Sequence, residues 1–244
     1  MKGGARLAYQ SVFKRYELKY LLTRQQQQSL LAAMESHMAP DAYGVTTIHN
    51  LYFDTDNYRL IRRSIEKPAY KEKLRLRSYA PAAEDTPVFV ELKKKYRHVV
   101  YKRRISLPLQ DAADWLAGHR PAPQDDQISR EIQYFRDYYG DLRPAVFLSY
   151  DRQAFYSIDD HGFRVTFDEN ILARRDDLSL SARIGGTPLL PEDYVLMEVK
   201  CAGGIPLWMT QVLTREQIRK TSFSKYGTAY QTMIFPNKEA IFYV

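Results

Sequence analysis

One stretch of alternating charged and apolar residues constrains the fold more than any other. From Lys71 to Arg77 every second residue is a lysine or an arginine, and the residues between them are mostly apolar. Successive side chains of a β-strand point to opposite faces, so the pattern predicts a strand with one cationic face. Alone, it fits a solvated edge strand that its cations protect from aggregation. Because the pattern returns in most later predicted strands, we favour an anionic ligand along these cationic faces.

The composition indicates a folded protein with an anionic partner. The chain has 244 residues, of which 45% are hydrophobic, and a net charge of +7. Such an excess suggests nucleic acid, a phosphate compound or an acidic membrane as partner. The single cysteine, Cys201, excludes an intrachain disulfide, and five scattered histidines leave no zinc site. Without an apolar run of membrane-spanning length or a signal-peptide core, we expect one cytoplasmic domain over residues 1–244.

Hydrophobic periodicity predicts eight strands and several helices. Thr23 can cap a helix that Pro40 would end, and Arg143-Pro144 would end another around residues 128–139. Further helices are expected near residues 57–65, 111–117, 205–213 and 222–236. Most strands follow one another too closely for parallel crossovers, so the sheet should be antiparallel. The expected strands are 12–20, 46–53, 68–78, 87–95, 99–107, 145–157, 163–168 and 194–200.

Eight antiparallel strands can close into a barrel. We therefore predict an α+β fold, an eight-stranded antiparallel β-barrel tunnel with helices packed outside. The apolar faces would lie under the helices and the cationic faces would line the tunnel. Because unpaired buried charge is costly, a polyanion should occupy it, bound by arginine forks and lysine point charges. The cations expected to point inward are Lys19, Arg75, Arg77, Lys93, Lys102, Arg104, Arg152, Arg164 and Lys200.

Three carboxylates share the cationic faces, each two residues before a lysine. They are Glu17, Glu91 and Glu198. A carboxylate repels a nucleic-acid backbone, but it can hold Mg²⁺ or Mn²⁺ beside phosphates, since these cations take oxygen ligands. Cross-strand ion pairing is the alternative, which we prefer for Glu91. The mixture favours metal and phosphate chemistry, with Glu198 and Glu17 as candidate metal ligands.

Short motifs, each weak alone, occur along the chain in a characteristic order. They are Glu17-x-Lys19, Asn50-Leu-Tyr-Phe-Asp-Thr55, Arg75-x-Arg77, Glu91-Leu-Lys93, Lys102-x-Arg104, Tyr150-x-Arg152, Arg164 with Asp168, Glu198-Val-Lys200 and Ser224-Lys-Tyr226. In this order they resemble the VTC domain, the polyphosphate polymerase domain of the vacuolar transporter chaperone complex. More broadly they resemble the CYTH-like triphosphate tunnel metalloenzymes. The resemblance covers about residues 13–230.

The resemblance implies a polymerase that transfers the γ-phosphate of ATP to a growing inorganic polyphosphate chain, with Mn²⁺ or Mg²⁺ as cofactor. It implies that the inward cations bind phosphate together with Ser224 and Lys225, and that Glu198 holds the metal, with Glu17 as a further candidate. The implied catalytic residues are Lys19, Arg75, Arg77, Arg152 and Lys225.

The chain departs from the resemblance in two respects. The wider superfamily often has a glutamate where this chain has Arg15, which favours holding a long polyanion over hydrolysing a small triphosphate. The sequence shows neither an SPX domain nor membrane helices, so a separate membrane partner is an alternative to a cytoplasmic product. Two rivals remain, a triphosphatase of the same fold and a non-catalytic polyphosphate-binding subunit. RNA binding is disfavoured because no RRM or KH signature appears.

Overall fold

A ten-stranded antiparallel sheet runs through the residues that the computed structural model describes, which are 16–97, 99–160 and 162–235. The strands are β1 (Tyr16–Thr23), β2 (Met38–Asp54), β3 (Tyr70–Ser78), β4 (Pro87–Tyr96), β5 (Val99–Pro108), β6 (Arg143–Ser157), β7 (Arg164–Arg174), β8 (Thr187–Pro188), β9 (Tyr194–Cys201) and β10 (Lys220–Thr221). The helices are α1 (Arg24–Met34), α2 (Arg59–Ile65), α3 (Leu109–Ala117), α4 (Gln127–Tyr139), α5 (Leu207–Arg215) and α6 (Lys225–Ala229), followed by a π-helical turn, Tyr230–Ile234.

The eight long strands confirm the predicted antiparallel sheet, and two strands of two residues each add to it. Hydrogen bonding runs in the order β10-β1-β9-β7-β6-β2-β3-β4-β5, with β8 beside β7. Within the described ranges, β5 and β10 are the two ends of this order, so backbone pairing does not close the predicted barrel. Side chains bring its two sides together instead. Lys93 Nζ of β4 lies 2.8 Å from Glu17 Oε2 of β1, so the sheet curls around a shared interior.

Local signals explain where the helices begin and end. Thr23 caps α1 in a capping box, since its Oγ1 accepts a hydrogen bond from the Gln26 amide while Gln26 Oε1 accepts one from the Thr23 amide. The predicted ends at Pro40 and Pro144 are wrong. Pro40 lies inside β2 beside a register shift, where a missing N–H is tolerated. Pro144 lies inside β6, since α4 already ends before Gly140.

Two groups of helices cover different parts of the outer face of the sheet. Leu74, Val90 and Leu92 pack under α3 and α4, with Trp115 and Phe135 among their contacts. The outer face of β1, β7 and β9 packs in the same way under α1 and α5. Apolar alternation along the strands therefore has its expected cause, which is burial of one face under helices. No helix in the described part of the chain could cross a membrane, being too short or too polar.

A third apolar cluster lies on the inner face, at one end of the sheet. Tyr226 and Tyr230, from α6 and the π-helical turn, pack there with Tyr52 of β2, Tyr150 of β6 and Leu196 of β9. Tyr52 and Tyr226 stack with ring centroids 4.7 Å apart. The C-terminal helical segment thus fills one end of the interior and carries Lys225 inward.

Candidate functional site

Strand register gathers the predicted cations on one face of the sheet. Side chains that face each other across paired strands share a face. Lys200 lies opposite both Glu17 and Arg164, and Glu91 lies opposite both Arg75 and Arg104. The same face therefore continues from β1 to β5, and all of the predicted inward cations lie on it. These are Lys19, Arg75, Arg77, Lys93, Lys102, Arg104, Arg152, Arg164 and Lys200.

Glu91 is the carboxylate most tightly held on this face. Its Oε2 accepts hydrogen bonds from Arg75 at 2.7 and 2.9 Å, and its Oε1 contacts Lys102 Nζ at 2.6 Å and Arg104 Nε at 2.7 Å. The side chain is only 1% exposed. Burial raises its pKa, but Arg75, Arg77, Lys102 and Arg104 lower that pKa well below its usual value. The ion-pair interpretation of Glu91 is confirmed, because cations saturate its oxygens.

Asp168 and Glu198 form a second anionic centre, and Lys225 of α6 is one of its cationic partners. Arg152 donates to both Asp168 oxygens, at 2.5 and 2.6 Å, and Lys225 Nζ also donates to Asp168. Glu198 has looser partners, with Lys19 at 3.4 Å, Lys225 at 3.5 Å and Arg152 at 3.6 Å. Burial lowers the pKa of Lys225, but Asp168 and Glu198 raise it overall, so the ammonium stays charged. The segment Ser224-Lys225 thus joins the strand residues, while the phosphate contacts that the resemblance implies for it stay a prediction.

The other predicted cations lie around these two centres. Lys93 pairs with Glu17 on the opposite side of the interior. Burial lowers the pKa of Lys200 to about 8, against the opposing effect of Glu198. Arg164 Nη2 lies 3.7 Å from Asp41, and its guanidinium carbon lies 4.6 Å from the centre of the Tyr156 ring. The interior is therefore rich in cations along its length, with a few carboxylates between them.

Sequence comparison identifies the family. The VTC domain family pattern matches residues 14–234, which includes all of the site strands. The chain belongs to the VTC domain family. No curated protein matches the chain in sequence.

Two solved structures share the fold of this VTC domain. One is a candidate adenylate cyclase from Bacillus halodurans, with a TM-score of 0.54 and 16% identity, which covers 92% of this chain and 99% of that chain. The other, from Hippeastrum, is described as a candidate adenylyl cyclase with a dominant triphosphatase activity. Its TM-score is 0.54 and its identity 16%, with 91% of this chain and 98% of that chain covered. At these identities the likeness shows the fold alone.

Glu198 and Glu17 could hold a divalent cation only with help from a ligand. Among residues 16–97, 99–160 and 162–235, no three histidine, cysteine or acidic side chains form a metal centre. Both glutamates are ionised: against the effect of burial, cations bring the pKa of Glu17 to about 2 and that of Glu198 well below its usual value. They lie diagonally on adjacent strands, two residues apart in register, since Glu17 is opposite Lys200 and Glu198 is opposite Lys19. Glu198, whose cations lie at 3.4 to 3.6 Å, fits a hard cation that takes its remaining oxygens from phosphate better than Glu17, which Lys93 contacts at 2.8 Å.

Polar residues that the sequence prediction left out of the site orient its arginines. Arg77 donates to Asn50 Oδ1 and to Tyr150 Oη, both at 3.0 Å, and Arg75 donates to Tyr52 Oη at 3.0 Å. All three partners lie in the motifs quoted above for the family resemblance. Strand parity could have placed them, because each shares a face with its arginine.

Tyr150 has an unusual environment for a tyrosine. Its ring lies 4.4 Å from Lys225 Nζ and 5.1 Å from the Arg152 guanidinium carbon. Burial raises the pKa of the phenol, but Arg152, Arg77 and Lys225 together lower it to about 8. The surrounding cations thus favour the phenolate form of Tyr150 far more than water would.

Lys73 is a further cation that the predicted site omits. Its Nζ donates to Ser224 Oγ at 3.1 Å, which joins β3 to the start of α6. Burial, with Lys19, Lys71 and Lys93 nearby, lowers its pKa to about 7. A bound phosphate would reverse this repulsion and favour the charged form of Lys73.

Proposed function

We propose that this VTC domain is a polyphosphate polymerase that transfers the γ-phosphate of ATP to the end of an inorganic polyphosphate chain. The observation that carries the proposal is the continuous inner face from β1 to β5, to which every long strand except β2 contributes lysine or arginine. Polyphosphate is a flexible line of negative charges, and a row of arginines and lysines around a curled sheet matches it in sign and extent. Membership of the VTC domain family supports a polyphosphate or triphosphate substrate.

The arginines and lysines would do most of the work of the reaction. Phosphoryl transfer needs alignment of the reacting groups and neutralisation of their charge more than covalent help. Arg75, Arg77 and Arg152 are held in place by hydrogen bonds to fixed partners, so their remaining N–H groups are preorganised for phosphate oxygens. The attacking terminal phosphate oxygen is already ionised, so no protein base is required. A divalent cation beside Glu198 and Glu17 would supply further neutralisation.

Product analysis tests the proposal. The protein is incubated with ATP and Mn²⁺, and the products are separated on a gel stained for long polyphosphate while free phosphate is measured in parallel. Two adjacent β5 residues give a matched pair of variants. Arg104→Met removes an inner cation bound to Glu91, whereas Arg103→Met removes an outer cation bound to Glu131. We expect stained polymer, at least tenfold less with Arg104→Met, and near-normal amounts with Arg103→Met.

Triphosphate hydrolysis is the second candidate, favoured by the shared fold with the Hippeastrum protein and its triphosphatase activity. It would give free phosphate without polymer, and a binding subunit would give neither. Arg15, the residue that favours polymerisation in the sequence, lies outside the described residues. In our proposal the partners are ATP and polyphosphate and not nucleic acid. The site of action is the cytoplasm, with or without a separate membrane partner.

A further inference from the structure

Toward the end that lies away from α6, the inner face carries aromatic side chains beside its charged ones. On β2, Tyr52 stacks on Tyr226 of α6. Asn50 is the next residue of β2 that faces inward, and it lies farther from Tyr226. Asn50 is opposite Arg77, which is opposite Phe89, so Phe89 lies one step beyond Glu91 in the same direction. Tyr79, directly after β3, continues this direction. The charged centre is thus followed by an aromatic region.

Phe89 and Tyr79 form one wall of this region. Their rings meet edge to face with centroids 5.8 Å apart. The Arg104 guanidinium carbon lies 4.1 Å from the Phe89 ring centre, and Arg104 Nη2 donates to Tyr79 Oη at 3.1 Å. Tyr79 remains 44% exposed although it is fixed by these contacts. An aromatic ring that is held in place and still open to solvent is suited to stacking on a ligand.

Tyr156 of β6 lies on the other side of β2, at the same end. Its inward position is opposite Arg164, whose guanidinium carbon is 4.6 Å from its ring centre. Tyr156 is 39% exposed. Along β6, Tyr156 lies beyond Arg152, and along β7, Arg164 lies beyond Asp168. Both lie away from Ile171, which belongs to the apolar cluster around Tyr226. We call Tyr79, Phe89 and Tyr156 the aromatic end.

We propose that the aromatic end binds the nucleobase of the nucleoside triphosphate donor, an inference that rests on the proposed function. The flat base would stack on the exposed ring of Tyr79, which Phe89 and Arg104 hold in place, since aromatic rings stack on bases. The triphosphate then extends toward Arg75, Arg77 and Arg152. The donor binds in one direction, with its γ-phosphate deepest and nearest to Lys225.

Stacking has a consequence for specificity. Every base has a π-face, so stacking alone separates ATP from GTP poorly, but it separates both from inorganic tripolyphosphate, which has no base. Loss of one stacking ring should weaken ATP and GTP binding by about tenfold and leave tripolyphosphate binding unchanged.

Calorimetric titration of ATP, GTP and tripolyphosphate into the full chain tests the proposal. Tyr79→Leu and Phe89→Leu remove a ring and keep apolar bulk. Tyr79→Phe keeps the ring and removes only the hydroxyl that contacts Arg104. Tyr134→Leu is the matched control, because Tyr134 is an exposed tyrosine on the outer helix α4.

We expect both ring-removing variants to lose about tenfold in affinity for the two nucleotides and less than twofold in affinity for tripolyphosphate. Tyr79→Phe and Tyr134→Leu should bind all three ligands with near wild-type affinity. Melting curves identify any variant that fails to fold, and the other ring-removing variant then carries the comparison with wild type.

Other results would overturn the inference. Equal losses for all three ligands would mean that the rings only support Arg104, and unchanged nucleotide affinity would mean that the base does not touch them. A wild-type protein that binds tripolyphosphate but not ATP would also remove the base site, while phosphate binding by the interior stands. If ring removal weakens only the nucleotides but no polymer forms from ATP, the base site stands and the polymerase proposal falls.

Discussion

Two glutamates on the inner face show how contact distance separates a structural carboxylate from a candidate metal ligand. Glu91 has cationic nitrogens at 2.6 to 2.9 Å, from three side chains, and its exposed fraction is 1%. Glu198 has its cations at 3.4 to 3.6 Å. The charge of Glu91 is used within the protein, whereas the longer contacts of Glu198 make it the better candidate metal ligand.

We therefore expect opposite results when each glutamate is replaced by glutamine. Glu198→Gln should keep the melting temperature within a few degrees and lower metal-dependent turnover by orders of magnitude, because it removes an anionic oxygen from the metal. Polyphosphate binding should persist or tighten, since a negative charge has left the interior. Glu91→Gln should cost about 3 kcal/mol of stability, because it removes the buried negative charge that pairs with Arg75, Lys102 and Arg104.

Turnover measured against Mn²⁺ concentration, together with melting curves, separates the two variants. Wild-type turnover of Glu198→Gln with an unchanged metal requirement would remove Glu198 from the site. An unchanged melting temperature of Glu91→Gln would show that water or ligand, and not Glu91, compensates the surrounding cations.

Tyr150 gives a titration that reports on the interior. Its pKa of about 8 depends on Arg152, Arg77 and Lys225, so a bound polyanion that neutralises these cations should raise it toward the ordinary value. The phenolate absorbance should rise near pH 8 in the free protein and at higher pH with tripolyphosphate, and Tyr150→Phe should lack this transition.

Because the pKa of Tyr150 is lower in the folded than in the unfolded protein, this group adds stability as pH rises from about 8 to about 10. A single tyrosine transition near pH 10, unaffected by ligand, would contradict the arrangement.

At the scale of elements, the sequence predicted those whose signals are local. Alternation gave β3 with its correct inner face, and Thr23 gave the start of α1. The helix expected near residues 111–117 ends as predicted, at Ala117, where Gly118 follows at φ +86°. The errors arose where a long-range contact overrides a local signal. Pro40 is accepted in β2 because a bulge and pairing with β6 accommodate it. Backbone closure of the barrel could not be predicted either, since it depends on how far the sheet curls and not on any one strand.

The site shows the same division between local and long-range information. Strand parity is enough to place Arg75, Arg152 and Glu198 on one face. It does not reveal that Lys225 from a distant helix reaches Asp168, or that Lys73 reaches Ser224. The sequence indicated Ser224 and Lys225 only through the family resemblance, because no periodicity links them to the strands.

The placement of α6 should depend on one buried hydrogen bond. Tyr226 Oη donates at 2.9 Å to Asp54, a fully buried carboxylate that also accepts the Leu60 and Ile61 amides at the start of α2. Tyr226→Phe keeps the ring stacked on Tyr52 but should cost about 2 kcal/mol of stability, since a hydrogen bond to a charged group is lost. Urea unfolding measures this cost.

Tyr230→Phe is the matched control for Tyr226→Phe, because no hydrogen bond of the Tyr230 hydroxyl occurs within the described ranges, and it should change stability by less than 0.5 kcal/mol or so. Because α6 carries Lys225, Tyr226→Phe should also weaken polyphosphate binding. Equal stability of the two variants would show that Asp54 does not anchor α6.

At the scale of the whole molecule, the chain has a net charge of +7, and many of its cations line the inner face of the curled sheet. Phosphate binding to such an interior should be driven largely by electrostatic attraction and release of counterions, and should weaken steeply as salt is added.

Two neighbouring lysines on β4 allow a direct test. Lys93 lies on the inner face and pairs with Glu17, whereas Lys94 lies on the outer face and pairs with Glu131. We expect Lys93→Met to reduce the slope of log affinity against log salt by about one, as for a lost phosphate contact, and Lys94→Met to leave it unchanged. Titrations of long polyphosphate at several salt concentrations measure the slope, with a single-stranded RNA of similar charge as competitor. Equal effects of the two lysines would place the bound chain on the outside of the protein. A preference for RNA would show that total charge, and not the shape of the interior, selects the ligand.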